Sequence, residues 1–251
     1  MNRACALGLD VGSTTCKAVA IGPDGRILGR RVEATHPLMA EQTTRMLADL
    51  QAENGGGLPV GATGYGRKRV AADRVLTEIT CHARGAFHWT GAPGLLIDMG
   101  GQDTKAIRIG PDGSVVDFNM NDKCAAGTGR FLEVILGRLQ VPLAEVAART
   151  SSTARSVPVS STCTVFAESE VISLVASGAP LEGIVKGLHA ALAARVVALA
   201  RPDGASRIYM SGGVALNAAM VQALETSLGC AVQVLPEPQL VGALGAALSV
   251  R

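Results

Sequence analysis

Apolar residues at the start of the chain come in short runs separated by turn residues. Ala4 to Ile21 reads as strand, tight turn, strand, and Pro23-Asp24-Gly25 then turns the chain into a third strand from Arg26 to Val32. A three-strand antiparallel beginning is expected. From Glu41 to Glu53 the apolar spacing becomes helical, and Asn54-Gly55-Gly56-Gly57 supplies a left-handed stop that glycine tolerates. Val60 to Thr63 predicts another strand, Gly64-Tyr65-Gly66-Arg67 a turn, and Val70 to Ala86 helical segments leading towards Pro93.

After Pro93-Gly94 the pattern restarts. Leu95 to Ile109 is again strand, glycine-rich turn, strand, and Pro111-Asp112-Gly113 leads into Ser114 to Phe118. The apolar-Asp-x-Gly-polar signature of Leu9 to Ser13 returns at Ile97 to Gln102, each time followed by a hairpin with a Pro-Asp-Gly turn. Duplication of one nucleotide-binding unit is the natural inference. Helices are expected over Phe131 to Leu139 and Thr164 to Ser177, and Ile208 to Ala215 reads as a strand running through a double glycine into a helix.

Composition narrows the class. Of 251 residues, 48% are hydrophobic and 18% charged, with a mean hydropathy of +0.30, which excludes a disordered chain. Aromatics are only 3% beside 30 glycines, so the core is built from Ala, Val, Leu and Ile with many tight turns, as in α/β proteins. The length suits one large or two small domains. Lys and Arg number 23 against 21 Asp and Glu, and no basic cluster exceeds Arg67-Lys68-Arg69, so nucleic acid is not an expected partner. The most apolar stretch, Leu188 to Ala200, carries His189 and Arg195, and Leu240 to Val250 is too short for about 30 Å of hydrocarbon, so no membrane span is expected. Asp10, so near Met1 and Asn2, would spoil the apolar region of a secretory signal, and a cytoplasmic protein is expected.

Asp10-Val11-Gly12-Ser13-Thr14-Thr15 places a carboxylate at a strand end beside a turn whose glycine and hydroxyl residues can donate to phosphate oxygens. Such turns are common as plain structure. Here a second one, Asp98-Met99-Gly100-Gly101-Gln102, can grip the β- and γ-phosphates from the other side with Mg²⁺ between, Asp10 facing the metal and Lys17 adding a cation. Gln102 or Asp103 can orient the attacking water, or either can simply bind phosphate or metal. Gly212-Gly213 after the Ile208 strand lets backbone approach the adenosine side of a nucleotide. Three such loops in one chain favour nucleotide binding over three unrelated turns.

Six cysteines in an unsecreted chain of this size do not form a disulfide framework. Cys5, Cys16, Cys81 and Cys230 lie within or beside apolar segments and read as small buried hydrophobes. Cys124 and Cys163 each precede a predicted helix, where free backbone N–H groups favour the thiolate that ligates metals. They stand 39 positions apart with no neighbouring Cys or His, so an intrachain zinc site is poorly supported. Two thiolates per chain are half of a four-cysteine site, which a symmetric dimer closes; buried structural thiols are the other reading. His36, His82, His88 and His189 show no ligand spacing, and Glu168 and Glu170 are not spaced as a catalytic carboxylate pair.

The order of these motifs, down to the closing Gly242-Ala243-Leu244-Gly245-Ala246-Ala247, resembles the actin-like ATPase superfamily. That resemblance implies α/β architecture with two ribonuclease-H-like domains and a nucleotide cleft between them: residues 1–93, to which 239–251 return, and 94–238. Gln239, beside the closing segment, is then a nucleotide contact. Within the superfamily, Ala62 to Arg67, Ile97 to Asp103, Asn121 to Leu132 and Ser160 to Glu170 resemble the activators of 2-hydroxyacyl-CoA dehydratases, a group shared with the ATPase subunits of benzoyl-CoA reductase. The resemblance implies an oxygen-sensitive homodimer that binds ATP or ADP with Mg²⁺, Cys124 and Cys163 of each subunit holding one shared 4Fe-4S cluster. It implies reduced ferredoxin or flavodoxin as donor and the dehydratase as acceptor. ATP binding and hydrolysis would move the domains and the helices that begin at the cysteines, sending the electron out at lower potential. Other readings are a benzoyl-CoA reductase-type ATPase subunit, a small-molecule kinase with structural cysteines, and a nucleotide-gated interaction module without turnover. No insertion suggests a kinase's acceptor loop.

Overall fold

Strand β1 (Ala6–Val11) is buried along its whole length, which requires cover on both faces. Leu7, Leu9 and Val11 point to one side, where Met46 and Leu50 of helix α1 (Met39–Asn54) pack. Ala6 faces the other, against Leu240, Ala243, Leu244 and Ala247 at helix α8 (Val241–Ala247). The computed structural model describes residues 3–151, 155–160, 163–202 and 204–251; Met1, Asn2, Ser161 and Thr162, which the sequence reading used, are among those outside the described residues.

The expected antiparallel beginning is present. β2 (Thr15–Ile21) pairs with β1 in a register that sets Asp10 opposite Lys17, and β3 (Ile27–Ala34) pairs with β2. β4 (Val60–Thr63) runs parallel to β1, and β5 (Arg74–Val75) parallel to β4, giving the order β3-β2-β1-β4-β5. β5 corrects the helical reading of Val70 to Ala86: the chain is extended there, and helix α2 (Glu78–Thr90) starts only where the Thr77 hydroxyl accepts the Thr80 N–H.

Helix α8 lies almost backbone to backbone on its neighbours. A Cβ at Gly8 would stand 1.9 Å from the Ala243 carbonyl oxygen, one at Gly61 2.1 Å from that of Ala246, and one at Gly85 2.2 Å from that of Val241. These glycines, and the small residues of α8, are what the close approach demands.

The second sheet contains β6 (Gly94–Met99), β7 (Thr104–Ile109), β8 (Val115–Asn121), β9 (Ile208–Ser211) and β10 (Gln233–Val234) in the order β10-β9-β6-β7-β8. It repeats the connectivity of the first. The echo extends to the turns: Gly22 N–H donates to the Arg26 carbonyl at 2.9 Å and Gly110 N–H to that of Ser114 at 2.8 Å, with Gly25 and Gly113 both left-handed.

By contact density the chain divides into two units, Met1–Leu96 with Ile107–Phe118 and Leu235–Arg251, and Ile97–Ala106 with Asn119–Val234. The second carries α3 (Gly129–Arg138), α4 (Val146–Ser151), α5 (Thr164–Ala176), α6 (Leu181–Ala200) and α7 (Ala218–Leu228). By length and composition α6 could cross a membrane, yet Ile184, Val185, Leu188, Leu192 and Val196 are buried within the protein, as in a core helix.

Candidate functional site

Asp10, at the end of β1, is 4% exposed, and its Oδ2 takes the Lys17 ammonium at 3.2 Å. Between them the hairpin closes by Gly12 N–H donating to the Thr15 carbonyl. A Cβ at Gly12 would lie 2.8 Å from that carbonyl and 3.1 Å from Lys17 Nζ, so glycine makes room for the ammonium over the turn. Ser13 and Thr14 are exposed at the tip, with hydroxyls and N–H groups available to an anion. Behind the hairpin, Gly64 at φ +95° leaves no space for a side chain against the Val11 backbone, and Gly66 N–H donates to the Val11 carbonyl. A Cβ at Gly242 would approach Asp10 Oδ2 to 3.2 Å.

The second hairpin repeats this plan with an addition. Asp98 is 3% exposed, and its Oδ1 accepts the Ser211 hydroxyl at 2.7 Å. Lys105 Nζ lies 3.5 Å from Asp98 Oδ2 and 2.6 Å from Asp103 Oδ2. Gly100 N–H donates to the Asp103 carbonyl, and a Cβ at Gly100 would meet Asp103 Oδ1 at 2.6 Å, so this carboxylate folds back over the turn. Gly101 is half-buried and Gln102 is exposed at the tip. Gly212, at φ +88°, stands against the Met99 backbone as Gly64 stands against Val11. Gly213 does not open an α-helix as expected. It begins a 3-10 turn, Gly213–Leu216, because Asn217 intervenes as the cap of α7, its Oδ1 accepting the Ala219 and Met220 N–H groups.

The structure thus gathers Asp10, Gly12, Ser13, Thr14, Thr15 and Lys17 on one hairpin, and Asp98, Gly100, Gly101, Gln102 and Asp103 on the other. Gly212 seats beside the second; Gln239 is half-buried just ahead of α8 in the first unit. Sequence reasoning missed Lys105 and Ser211. Both carry a signal: Lys105 follows Asp98 by the seven positions that separate Lys17 from Asp10, and Ser211-Gly212 repeats Thr63-Gly64.

Cys124 and Cys163 are exposed and free. Cys163 caps α5 as expected, with Ala167 N–H donating to its carbonyl. Cys124 does not cap α3. It precedes a 3-10 turn, Ala125–Gly127, and α3 starts at Gly129 because the Thr128 hydroxyl accepts the Arg130 N–H. The Asn121 side chain brackets Cys124, accepting its N–H at 3.1 Å and donating to its carbonyl at 2.8 Å. The Arg195 guanidinium donates to the Ala126 carbonyl and lies 4.9 Å from the Phe131 ring centroid. Burial pulls Arg195 below its ordinary range.

This cysteine loop is tied to the second hairpin. Gly129 N–H donates to the Gly100 carbonyl at 3.0 Å, Arg130 N–H to that of Gly101 at 2.8 Å, and the Thr104 hydroxyl to that of Gly127 at 2.7 Å. Glu170 accepts the Ser160 N–H and hydroxyl, and Glu168 pairs with Arg138.

Among the described residues, no three His, Cys, Asp or Glu side chains converge as a metal set, and a four-thiolate site needs two thiols more than Cys124 and Cys163 supply. Two exposed, unbridged thiols fit half of such a site. Beside Cys163, the buried Thr164 hydroxyl lacks a hydrogen-bond partner among the described residues, so it has a donor to offer a sulfur. The other cysteines divide: Cys16 and Cys81 are buried as expected, Cys5 is half-buried, and Cys230 is exposed, because it follows the Gly229 cap of α7 in the link to β10.

The BadF/BadG/BcrA/BcrD ATPase family matches residues 7–250. The activator of lactoyl-CoA dehydratase from Anaerotignum propionicum is 43% identical over 249 residues, covering 96% of this chain and 95% of the relative. Among solved structures, the activator of the 2-hydroxyisocaproyl-CoA dehydratase from Clostridium difficile with bound ADPNP superposes with a TM-score of 0.90 at 39% identity, covering 98% of this chain and 93% of that one. The Acidaminococcus fermentans (R)-2-hydroxyglutaryl-CoA dehydratase component A gives 0.90 at 38%, covering 98% and 96%. The fold is that of the two-domain actin-like ATPases.

Proposed function

The chain belongs to the BadF/BadG/BcrA/BcrD ATPase family, and from that premise we propose that it is an ATP-driven activator that delivers a low-potential electron to a 2-hydroxyacyl-CoA dehydratase. It acts as a cytoplasmic homodimer and takes its electron from reduced ferredoxin or flavodoxin. Cys124 and Cys163, with the same two residues of a second copy, would hold a 4Fe-4S cluster, which when bound supplies one-electron redox chemistry.

The residues of the chain do the rest. Ser13, Thr14 and Thr15, with the backbone N–H groups of both hairpins, bind phosphate oxygens, and Lys17 contributes positive charge. Asp10 offers the hard oxygen donors that suit Mg²⁺ accompanying the nucleotide, and Asp98 binds at the second hairpin. Gln102 and Asp103 orient the water that attacks the γ-phosphate, and Gly212, Gly213 and Gln239 serve the adenosine side.

The observation that carries this reading is the backbone tie between the Gly100-Gly101 turn and the start of α3, five residues after Cys124. A nucleotide loop and a redox-ligand loop share one hydrogen-bonded segment, for which a small-molecule kinase has no use. The test is to mix the reduced protein with a 2-hydroxyacyl-CoA dehydratase and follow dehydration. Activity that requires both reductant and hydrolysable ATP is expected. Activation that is equal without ATP contradicts the reading.

A further inference from the structure

The two hairpins share an aspartate and a lysine seven residues apart, but they use the lysine differently. Lys17 pairs with Asp10, and its side chain keeps 15% exposure. Lys105 bridges Asp98 and Asp103, and its side chain is 3% exposed. The difference arises at one position: Thr15 stands five residues after Asp10, and Asp103 stands five residues after Asp98. Of the trio, Asp103 alone reaches solvent, with 28% of its side chain exposed against 4% for Asp98.

Two carboxylates that share one ammonium are drawn together by it and would repel one another without it. Asp98 is also held by Ser211 and is fixed from two sides. Asp103 is anchored by Lys105 at 2.6 Å, with its other oxygen over Gly100. A lysine this buried has no surface to offer a phosphate, so it acts through its partner.

We propose that Lys105 is a positioning residue for ATP hydrolysis, clamping the Asp103 carboxylate over the Gly100 turn so that it meets the attacking water in one fixed place. This rests on the reading of Asp103 as a hydrolytic residue given above.

The test is a double-mutant cycle in single-turnover ATP hydrolysis, with nucleotide affinity measured in parallel, for the wild type, Lys105→Met, Asp103→Asn and the double variant. Each single variant is expected to slow hydrolysis on the order of 100-fold, the scale of a positioned proton-transfer group, with ATP affinity nearly unchanged. The double variant is expected to be no slower than Asp103→Asn. Lys105→Arg, which keeps the charge, is expected to recover most of the loss. Should Lys105→Met fail to fold, the double variant removes one carboxylate's charge with the lysine's, and its rate against Asp103→Asn still decides. Losses that multiply in the double variant overturn the clamp, as does a fall in ATP affinity that matches the fall in rate. Full activity in Asp103→Asn overturns the underlying reading of Asp103 and the clamp with it.

Discussion

The Thr104 hydroxyl donates to the carbonyl of Gly127 at 2.7 Å, joining the start of β7 to the turn that follows Cys124. Both partners are constrained: Thr104 is fully buried, and a Cβ at Gly127 would collide with Asn121 Nδ2 at 2.6 Å, the amide that brackets Cys124. With the Gly100 and Gly101 carbonyls bonded to the start of α3, three hydrogen bonds connect the second hairpin to the cysteine loop.

Thr104→Val keeps the shape and removes one of these ties. It leaves the half-buried Gly127 carbonyl without its donor, a cost of about 1 kcal/mol. Dehydratase activation per ATP hydrolysed is expected to fall more than hydrolysis itself. Comparing phosphate release with electrons delivered by the same preparation checks this.

Gly61→Ala is expected to destabilise the first unit by about 2 kcal/mol or more, since its Cβ would press on the Ala246 carbonyl oxygen at 2.1 Å and the backbone of α8 would have to retreat. Urea unfolding measures it, and an unchanged midpoint would show that α8 is not seated as described.

Thiol labelling separates the cysteines by their surroundings. In cluster-free protein, Cys124, Cys163 and Cys230 are expected to alkylate rapidly, and Cys16 and Cys81 only on unfolding. Burial pushes the Cys81 thiol up to about 11, so it is protonated as well as hidden. Mass spectrometry of partially labelled protein reads the order of modification.

Stability is expected to fall as the medium is acidified below pH 6.5. Burial holds His189 below its ordinary 6.5, and its ring bonds the Val185 carbonyl and Asn217; burial also lowers His88. Below 6.5 the unfolded chain binds protons that the folded chain refuses, so the contribution is complete above that value and is lost as pH falls towards the folded pKa. Denaturant titrations at pH 7.5 and 5.5 are expected to show a smaller difference in His189→Gln than in the wild type.

Much of the fold was legible because its signals are local. The Pro-Asp-Gly turns, the Gly55 helix stop and the repeated Asp-x-Gly hairpins each state their geometry within a few residues. Of the candidate site, the hairpins themselves were legible: their residues lie where spacing placed them, and their roles towards a nucleotide belong to the proposal. Part of what escaped depends on distant partners. Ser211 reaches Asp98 across 113 positions, and its one mark in the sequence is that Ser211-Gly212 repeats Thr63-Gly64. Cys124 was placed at a helix N-terminus because the apolar periodicity begins soon after it; the intervening Thr128 cap and the Asn121 bracket are local hydrogen bonds to which that periodicity is blind. Cys230 was read as buried from its apolar neighbours, but it follows a glycine cap in a surface link. Lys105 could have been found by carrying the Asp10–Lys17 interval to the second hairpin.

The central claim is that Cys124 and Cys163 turn an ATPase of this fold into an electron donor. Its most direct test is iron and acid-labile sulfide per chain after anaerobic purification, for the wild type and Cys124→Ser, together with the size of each in solution. The account predicts about four irons and four sulfides per two chains in a dimeric wild type, and loss of both from the variant. No iron in the wild type even after anaerobic reconstitution, with undiminished ATP turnover in Cys124→Ser, would contradict it.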